Sequence, residues 1–154
     1  MNYRFTKYDV DPTPTNPRGE VYRPQVVLRL SGPAGDLFLL ALVDTGADET
    51  IVPYSVADQI GIQVDDQRRS RAGGITGQHL ELLAGQVELE IIGSDQSFRW
   101  SGPVSFAKFE SPDDECAILG HVGTLRYFTA TFDGERQQGT LTPNRIFPGS
   151  VDEE

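Results

Sequence analysis

Residues Leu37 to Pro53 read LFLLALVDTGADETIVP. Seven apolar residues, Leu37 to Val43, run unbroken into Asp44, the polar turn Thr45-Gly46-Ala47-Asp48 follows, and a second apolar pair, Ile51-Val52, comes after it. An apolar run of this length bounded by a turn predicts a strand buried on both faces. Asp44 then stands at the mouth of a core. A lone carboxylate in such a place is costly, or has its pKa pushed up, unless donors surround it, so the position asks for a functional explanation.

Working outward, Val26, Leu28 and Leu30 alternate with Val27, Arg29 and Ser31, and Gly32-Pro33-Ala34-Gly35 breaks the chain before Leu37. That pattern predicts two strands joined by a turn. After Pro53, SVADQIG offers Ser55 as N-cap, Val56 and Ile60 four apart and Gly61 as the stop, which predicts one short helix. Val87, Leu89 and Ile91 alternate with Glu88 and Glu90, the pattern of a half-exposed strand. Phe98 and Trp100, then Val104 and Phe106, predict two further strands separated by Ser101-Gly102-Pro103. Ala117-Ile118-Leu119 reads as a short strand ending at Gly120, and Val122, Leu125 and Phe128 fall at the spacing of a second helix. Residues 132–135 and 139–141 suggest a closing hairpin. Many short strands with hardly any helix imply an all-β sandwich or barrel.

The chain has 154 residues, a length suited to one domain with a real core. Pro12, Pro14, Pro17 and Gly19 mark residues 1–20 as a flexible N-terminal arm unable to hold regular structure for long, and residues 143–154 form an acidic, Pro- and Gly-bearing C-terminal tail. A net charge of −10 and a pI near 4.6 argue against a nucleic-acid surface. Arg68, Arg69 and Arg71 read as an exposed loop cluster, and Ser111 to Glu115 as a solvated acidic connector. The single cysteine, Cys116, has no disulfide partner and is expected to be a buried or bystander thiol. With His79 and His121 it forms no zinc spacing, so neither a metal nor another cofactor is expected. Residues 1–14 lack a signal-peptide apolar region, and the seven-residue run is too short to span a bilayer. A cytoplasmic protein without membrane attachment is the expectation.

Ala72-Gly73-Gly74-Ile75-Thr76-Gly77-Gln78 places three glycines in five positions around one apolar residue, Ile75. This is a hairpin tip with an adaptable backbone, and taken alone it is also an ordinary surface turn.

Asp44-Thr45-Gly46-Ala47-Asp48 at the end of an apolar strand resembles the active-site signature of the retropepsin-like aspartic proteases. The resemblance covers roughly Arg23 to Phe132. It rests on the apolar run before Asp44, the Thr50-Ile51-Val52-Pro53 strand, the glycine-rich tip around Gly74, and Ile118-Leu119-Gly120 leading into a helix, in that order. It implies a single-lobed, closed acid-protease β-barrel with one or two short helices over residues 21–142. It also implies an aspartic endopeptidase that is a homodimer, because the chemistry needs two carboxylates about 3 Å apart sharing one proton and the chain has one Asp-Thr-Gly.

The residue roles implied by the resemblance are these. The two Asp44 carboxylates activate water against an extended polypeptide, and Gly46 lets backbone amides approach the carboxylate. Thr45 hydrogen-bonds across the dimer, or is an ordinary turn threonine. Ala47 and Asp48 hold substrate backbone, though Asp48 is equally an ion-pair partner for Arg23 or Arg126. Gly73, Gly74, Ile75 and Gly77 form a flap that closes over substrate. Retroviral members carry arginine after the glycine matching Gly120, whereas this chain has His121. That departure keeps a second reading open, a retropepsin-fold dimeric module that binds peptides or a partner protein without significant proteolysis.

Overall fold

The computed structural model describes residues 1–73 and 79–153. Over these described residues it is all-β, 61% strand with one α-helix, built on a closed six-stranded barrel. The strands are Asn2–Arg4 (β1), Thr6–Asp9 (β2), Glu20–Arg23 (β3), Gln25–Gly32 (β4), Gly35–Val43 (β5), Ile51–Pro53 (β6), Asp65–Gly73 (β7), His79–Ile92 (β8), Gln96–Lys108 (β9), Ala117–Leu119 (β10), Phe128–Asp133 (β11), Gln138–Pro143 (β12) and Ser150–Glu153 (β13). The helix, Tyr54–Ile60 (α1), lies between β6 and β7.

The barrel follows the order β9-β6-β10-β5-β4-β8 and closes because β8 also pairs with β9, from Glu81↔Lys108 to Ile92↔Ser97. Closure leaves no unpaired edge within the ring. Two of its contacts are parallel, β10 beside β5 and β6 beside β9. They draw the ends of β5 and β10 together, with Leu119 opposite Val43. Period-2 alternation fills the interior with Val26, Leu28, Leu30, Val87, Leu89, Ile91, Phe98, Trp100, Val104 and Phe106, all buried.

Several expectations change. The run Leu37 to Val43 is not buried on both faces, since Phe38 is 58% and Leu40 46% exposed on the outer side of β5. Its partner β4 alternates, and β5 follows the same period with apolar residues on both sides. Residues 98–106 form one continuous strand rather than two. Gly102 and Pro103 are accommodated inside β9 opposite Val87 and Gln86. The second helix reduces to a single 3-10 turn, Leu125–Tyr127. Helix α1 starts at Tyr54 with Pro53 at its N-cap, while Ser55 turns its hydroxyl to Glu115 instead, 3.1 Å away. Gly61 ends that helix in the left-handed conformation expected of it.

The chain ends also differ from expectation. Met1 is buried, β1 pairs with β12, and β2 with β3 form a hairpin despite the prolines between them. Their strands lie on either side of the proline cluster rather than through it. The acidic end of the chain supplies β13, which pairs with residues 96–99 at the start of β9. Arg68, Arg69 and Arg71 stand on an exposed edge strand, β7, rather than a loop. The acidic connector holds a short 3-10 turn, Pro112–Asp114, capped by Ser111. Cys116 is exposed. The hairpin of β11 and β12 forms as the sequence suggests. Among the described residues, no helix is long and apolar enough to cross a membrane.

Candidate active site at the Asp44 turn

Asp44 leaves β5 at the point where the parallel ladder with β10 ends, and its amide continues that ladder by donating to the Leu119 carbonyl at 3.2 Å. The chain then turns on itself. Ala47 N–H donates to Asp44 O at 3.2 Å and Gly46 N–H to Asp44 Oδ1 at 2.9 Å. A short carboxylate accepting the amide two residues ahead is the local device that makes aspartate favourable in turns. A Cβ on Gly46 would sit 3.3 Å from that same oxygen, so glycine leaves room for the contact. Asp44 is half-buried, Thr45, Gly46 and Asp48 are exposed, and Ala47 is intermediate. Among the described residues Asp44 Oδ2 has no hydrogen-bond partner, which leaves one carboxylate oxygen open to a ligand or to a second copy.

A second segment, Gly120 to Thr124, is laced along this turn. His121 N–H donates to Ala47 O at 3.0 Å, Val122 N–H to Asp48 O at 2.8 Å, and Thr50 N–H to Val122 O at 2.9 Å. The His121 ring reaches further, with Nε2 2.8 Å from Thr45 O. A carbonyl only accepts, so the imidazole carries its proton on Nε2 and donates. Gly120 permits the close approach, because a Cβ there would fall 2.2 Å from Glu49 O and 2.7 Å from Ala47 O. Beneath the turn, Thr50 Oγ1 donates to Thr124 Oγ1 at 2.9 Å in a buried pair, and Trp100 Nε1–H donates to Gly123 O at 2.8 Å. Buried polar groups paired in this way fix a loop more firmly than exposed ones.

Neither arginine expected beside Asp48 reaches it within the chain. Arg23 lies over the Tyr8 ring, 4.7 Å from its centroid, and Arg126 over Tyr127 at 5.6 Å. Asp48 instead is held through its carbonyl by Val122, which leaves its carboxylate exposed. Gly73 pairs with His79 at the neck of the β7–β8 hairpin, while Gly74, Ile75 and Gly77 lie outside the described residues.

No protein-family model matches the chain, and no curated protein matches it.

Sequence reasoning missed one feature beside the turn. Ile51, Leu82 and Ala107 form a small apolar cluster separate from the main core, flanked by Ala72, Leu80, Phe109 and Ile118. Ala117 and Leu119 point into the barrel, so Ile118 between them faces out. The cluster thus runs from Ile118, next to the residue that receives the Asp44 amide, to Ala72 and Leu80 at the hairpin neck. Only the pairing of five strands, β6 to β10, assembles it. The 120–124 clamp was equally hidden. Its one sequence signal was two glycines, Gly120 and Gly123, bracketing His121 beside a short strand.

Proposed function

We propose that the protein is an aspartic endopeptidase of the retropepsin-like kind, acting as a homodimer in which two Asp44 carboxylates share one proton. The observation that carries this reading is the Asp44 turn itself: a carboxylate with Oδ1 fixed by the Gly46 amide and Oδ2 without a partner among the described residues, on a loop clamped by His121. A fixed, half-exposed carboxylate is suited to proton transfer because its position is set before substrate arrives. In the reaction, the ionised member of the pair takes a proton from water while the protonated member hydrogen-bonds the scissile carbonyl. Water attacks, and the proton passes to the departing amine.

The apolar cluster between Ile118 and the hairpin neck supports an extended polypeptide as the substrate form. Such a chain offers apolar side chains to the partly buried Ala72, Leu80, Phe109 and Ile118 that flank the cluster, and backbone groups to nearby strands. Thr45 would face its counterpart across the dimer, and Ala47 with Asp48 would hold substrate backbone. The flap reading attaches to residues 73–77.

Hydrolysis of a mixed peptide library between about pH 4 and 7, where a shared-proton pair operates, tests the proposal. Wild type should cleave, and Asp44→Asn should fold normally and cleave nothing. Equal cleavage by both proteins would refute it.

A further inference from the structure

The outer face of the barrel carries a row of apolar side chains where strand alternation calls for polar ones. Val27 points outward between the buried Val26 and Leu28, and it stands directly opposite Leu40 of β5 on one side and Ile92 of β8 on the other. Val27 is 39% and Leu40 46% exposed. Directly opposed side chains share a face, so the three form a continuous strip across three strands, roughly 10 Å long at the ordinary strand spacing. The strip floors a cleft of about 670 Å³ walled by β1 and the first residue of β2. That is the size of a small-ligand site.

The walls hold hydrogen-bonding capacity that the fold leaves unused. Among the described residues the side chains of Asn2, Thr6 and Gln138, all lining the cleft, make no hydrogen bond. The Tyr8 hydroxyl donates to Gln25 Oε1 at 2.7 Å, which fixes that amide and leaves its N–H donors for another partner. Arg4 is the one charged residue lining the cleft, and among the described residues it makes no ion pair. In a chain of 23 acidic and 13 basic residues, none of the described carboxylates lines this cleft. Two nearby ones lie outside it. Asp95 is exposed on the turn after Ser94, and Asp133, across β12 from Arg4, pairs with Arg136 at 3.8 Å.

We infer that this cleft binds the carboxyl end of an extended polypeptide whose last residue is apolar, at a site separate from the Asp44 turn. Three features select that occupant. Arg4, a cation with no carboxylate beside it, draws an anion and pairs with it through charge-assisted hydrogen bonds. The Leu40–Val27–Ile92 strip takes the last side chain, which removes apolar surface from water on both partners. The amides and hydroxyl of Asn2, Thr6, Gln25 and Gln138 meet peptide N–H and C=O groups, whereas a bare hydrocarbon chain would strip them of water and return no hydrogen bond. The chain's own end does not supply the ligand, because β13 is paired to β9 through Glu153 and carries carboxylates instead of an apolar terminus. Leu40 stands four residues before Asp44, roughly 13 Å along β5, so the bound end and the turn are distinct places. The inference does not depend on peptide cleavage.

The probe is N-acetyl-Ala-Ala-Val-Leu with a free carboxylate, titrated into the full Asp44→Asn chain so that no cleavage intervenes, and followed by the NMR shifts of the protein amides. Shifts should gather at residues 2–6, 25–27 and 92–94. The carboxamide of the same peptide should bind about tenfold or more weakly. Arg4→Gln should remove that difference, and Leu40→Gln should weaken both forms alike, each with an unchanged melting temperature because both positions are exposed. Octanoate, a carboxylate on a bare hydrocarbon chain, should bind about tenfold or more weakly than the peptide. Equal affinity for acid and carboxamide, acid binding undisturbed by Arg4→Gln, shifts confined to the Asp44 turn, or no shift up to about 5 mM peptide would each overturn the inference. Octanoate binding as tightly as the peptide would overturn it too, and would give the cleft to a hydrocarbon acid. Failure here leaves the cleavage test of the functional proposal untouched, and an inactive wild type leaves this site standing.

Discussion

The imidazole Nε2 of His121 lies 2.8 Å from the carbonyl oxygen of Thr45, so a side chain from the segment after β10 holds the turn that carries Asp44. The backbone of His121 holds the same turn at Ala47. One residue therefore fixes both sides of Gly46.

If the proposed peptidase activity holds, His121→Ala should affect catalysis more than folding. The Thr45 carbonyl is exposed and water replaces the lost donor, so destabilisation should stay near about 1 kcal/mol. A carboxylate free to shift loses its alignment, and kcat should fall by about ten- to a hundredfold with KM little changed. His121→Gln, which keeps an N–H donor on a side chain of related reach, should recover part of the loss. A stopped assay with matched thermal melts measures both quantities. Unchanged kcat in the alanine variant would remove His121 from the positioning role.

Gly120→Ala should be the more damaging change to the fold. The new methyl would stand 2.2 Å from Glu49 O and 2.7 Å from Ala47 O, both backbone atoms that cannot rotate away. Overpacking of this kind costs about 1–3 kcal/mol, and the shift it forces falls on residues 47–49, next to Asp44. Urea denaturation should show the lowered midpoint. A variant as stable as wild type would mean that the Gly120 to Thr124 segment is not packed as closely as described.

Glu90 gives a stability that depends on pH. The residue is only 7% exposed, although the alternation of its strand predicted an outward, solvated position. Burial pushes its carboxyl up, but hydrogen bonds from Ser97, Arg29 and Arg99 outweigh that and hold it below the ordinary value of 4.5. A lowered folded-state value means that the unfolded chain binds the proton more readily. The contribution is therefore whole above the ordinary value of 4.5 and is lost as pH falls through the lowered folded-state value. Glu90→Gln should destabilise at pH 7 by about 1–2 kcal/mol, a charge-assisted hydrogen-bond figure reduced for the partly exposed arginines. The gap from wild type should narrow as the pH is lowered below the ordinary carboxyl range. A gap independent of pH would refute the linkage. The ion pair of Arg99 with Asp152 ties β13 to the same cluster, at 3.8 Å.

Much of this protein was written locally. Period-2 alternation in residues 26–31 and 87–91, the turn at residues 32–35 and the glycine ending α1 depend on neighbours in the chain, and each appears where the sequence put it. The Asp44-Thr45-Gly46 turn is local too, closed by bonds spanning two and three residues. Misreadings arose where local pattern met distant contact. Val122, Leu125 and Phe128 have helical spacing, but the backbone of Val122 is engaged by Asp48 and Thr50, which leaves room only for a 3-10 turn. Gly102-Pro103 reads as a break, yet β8 runs alongside and carries the strand through. Residues 1–20 read as an arm because prolines forbid long strands, whereas strands of three and four residues need only a partner.

Side-chain period and turn chemistry act within a few residues, so an all-β chain with a carboxylate-bearing turn at the end of an apolar strand is legible without its folded partners. Tertiary contact accounts for the closure of the barrel by β8 and β9, for the donation from His121 to Thr45 and for the burial of Glu90 among arginines. Each of those depends on register between segments far apart in the chain, and no short-range pattern of residues carries that information.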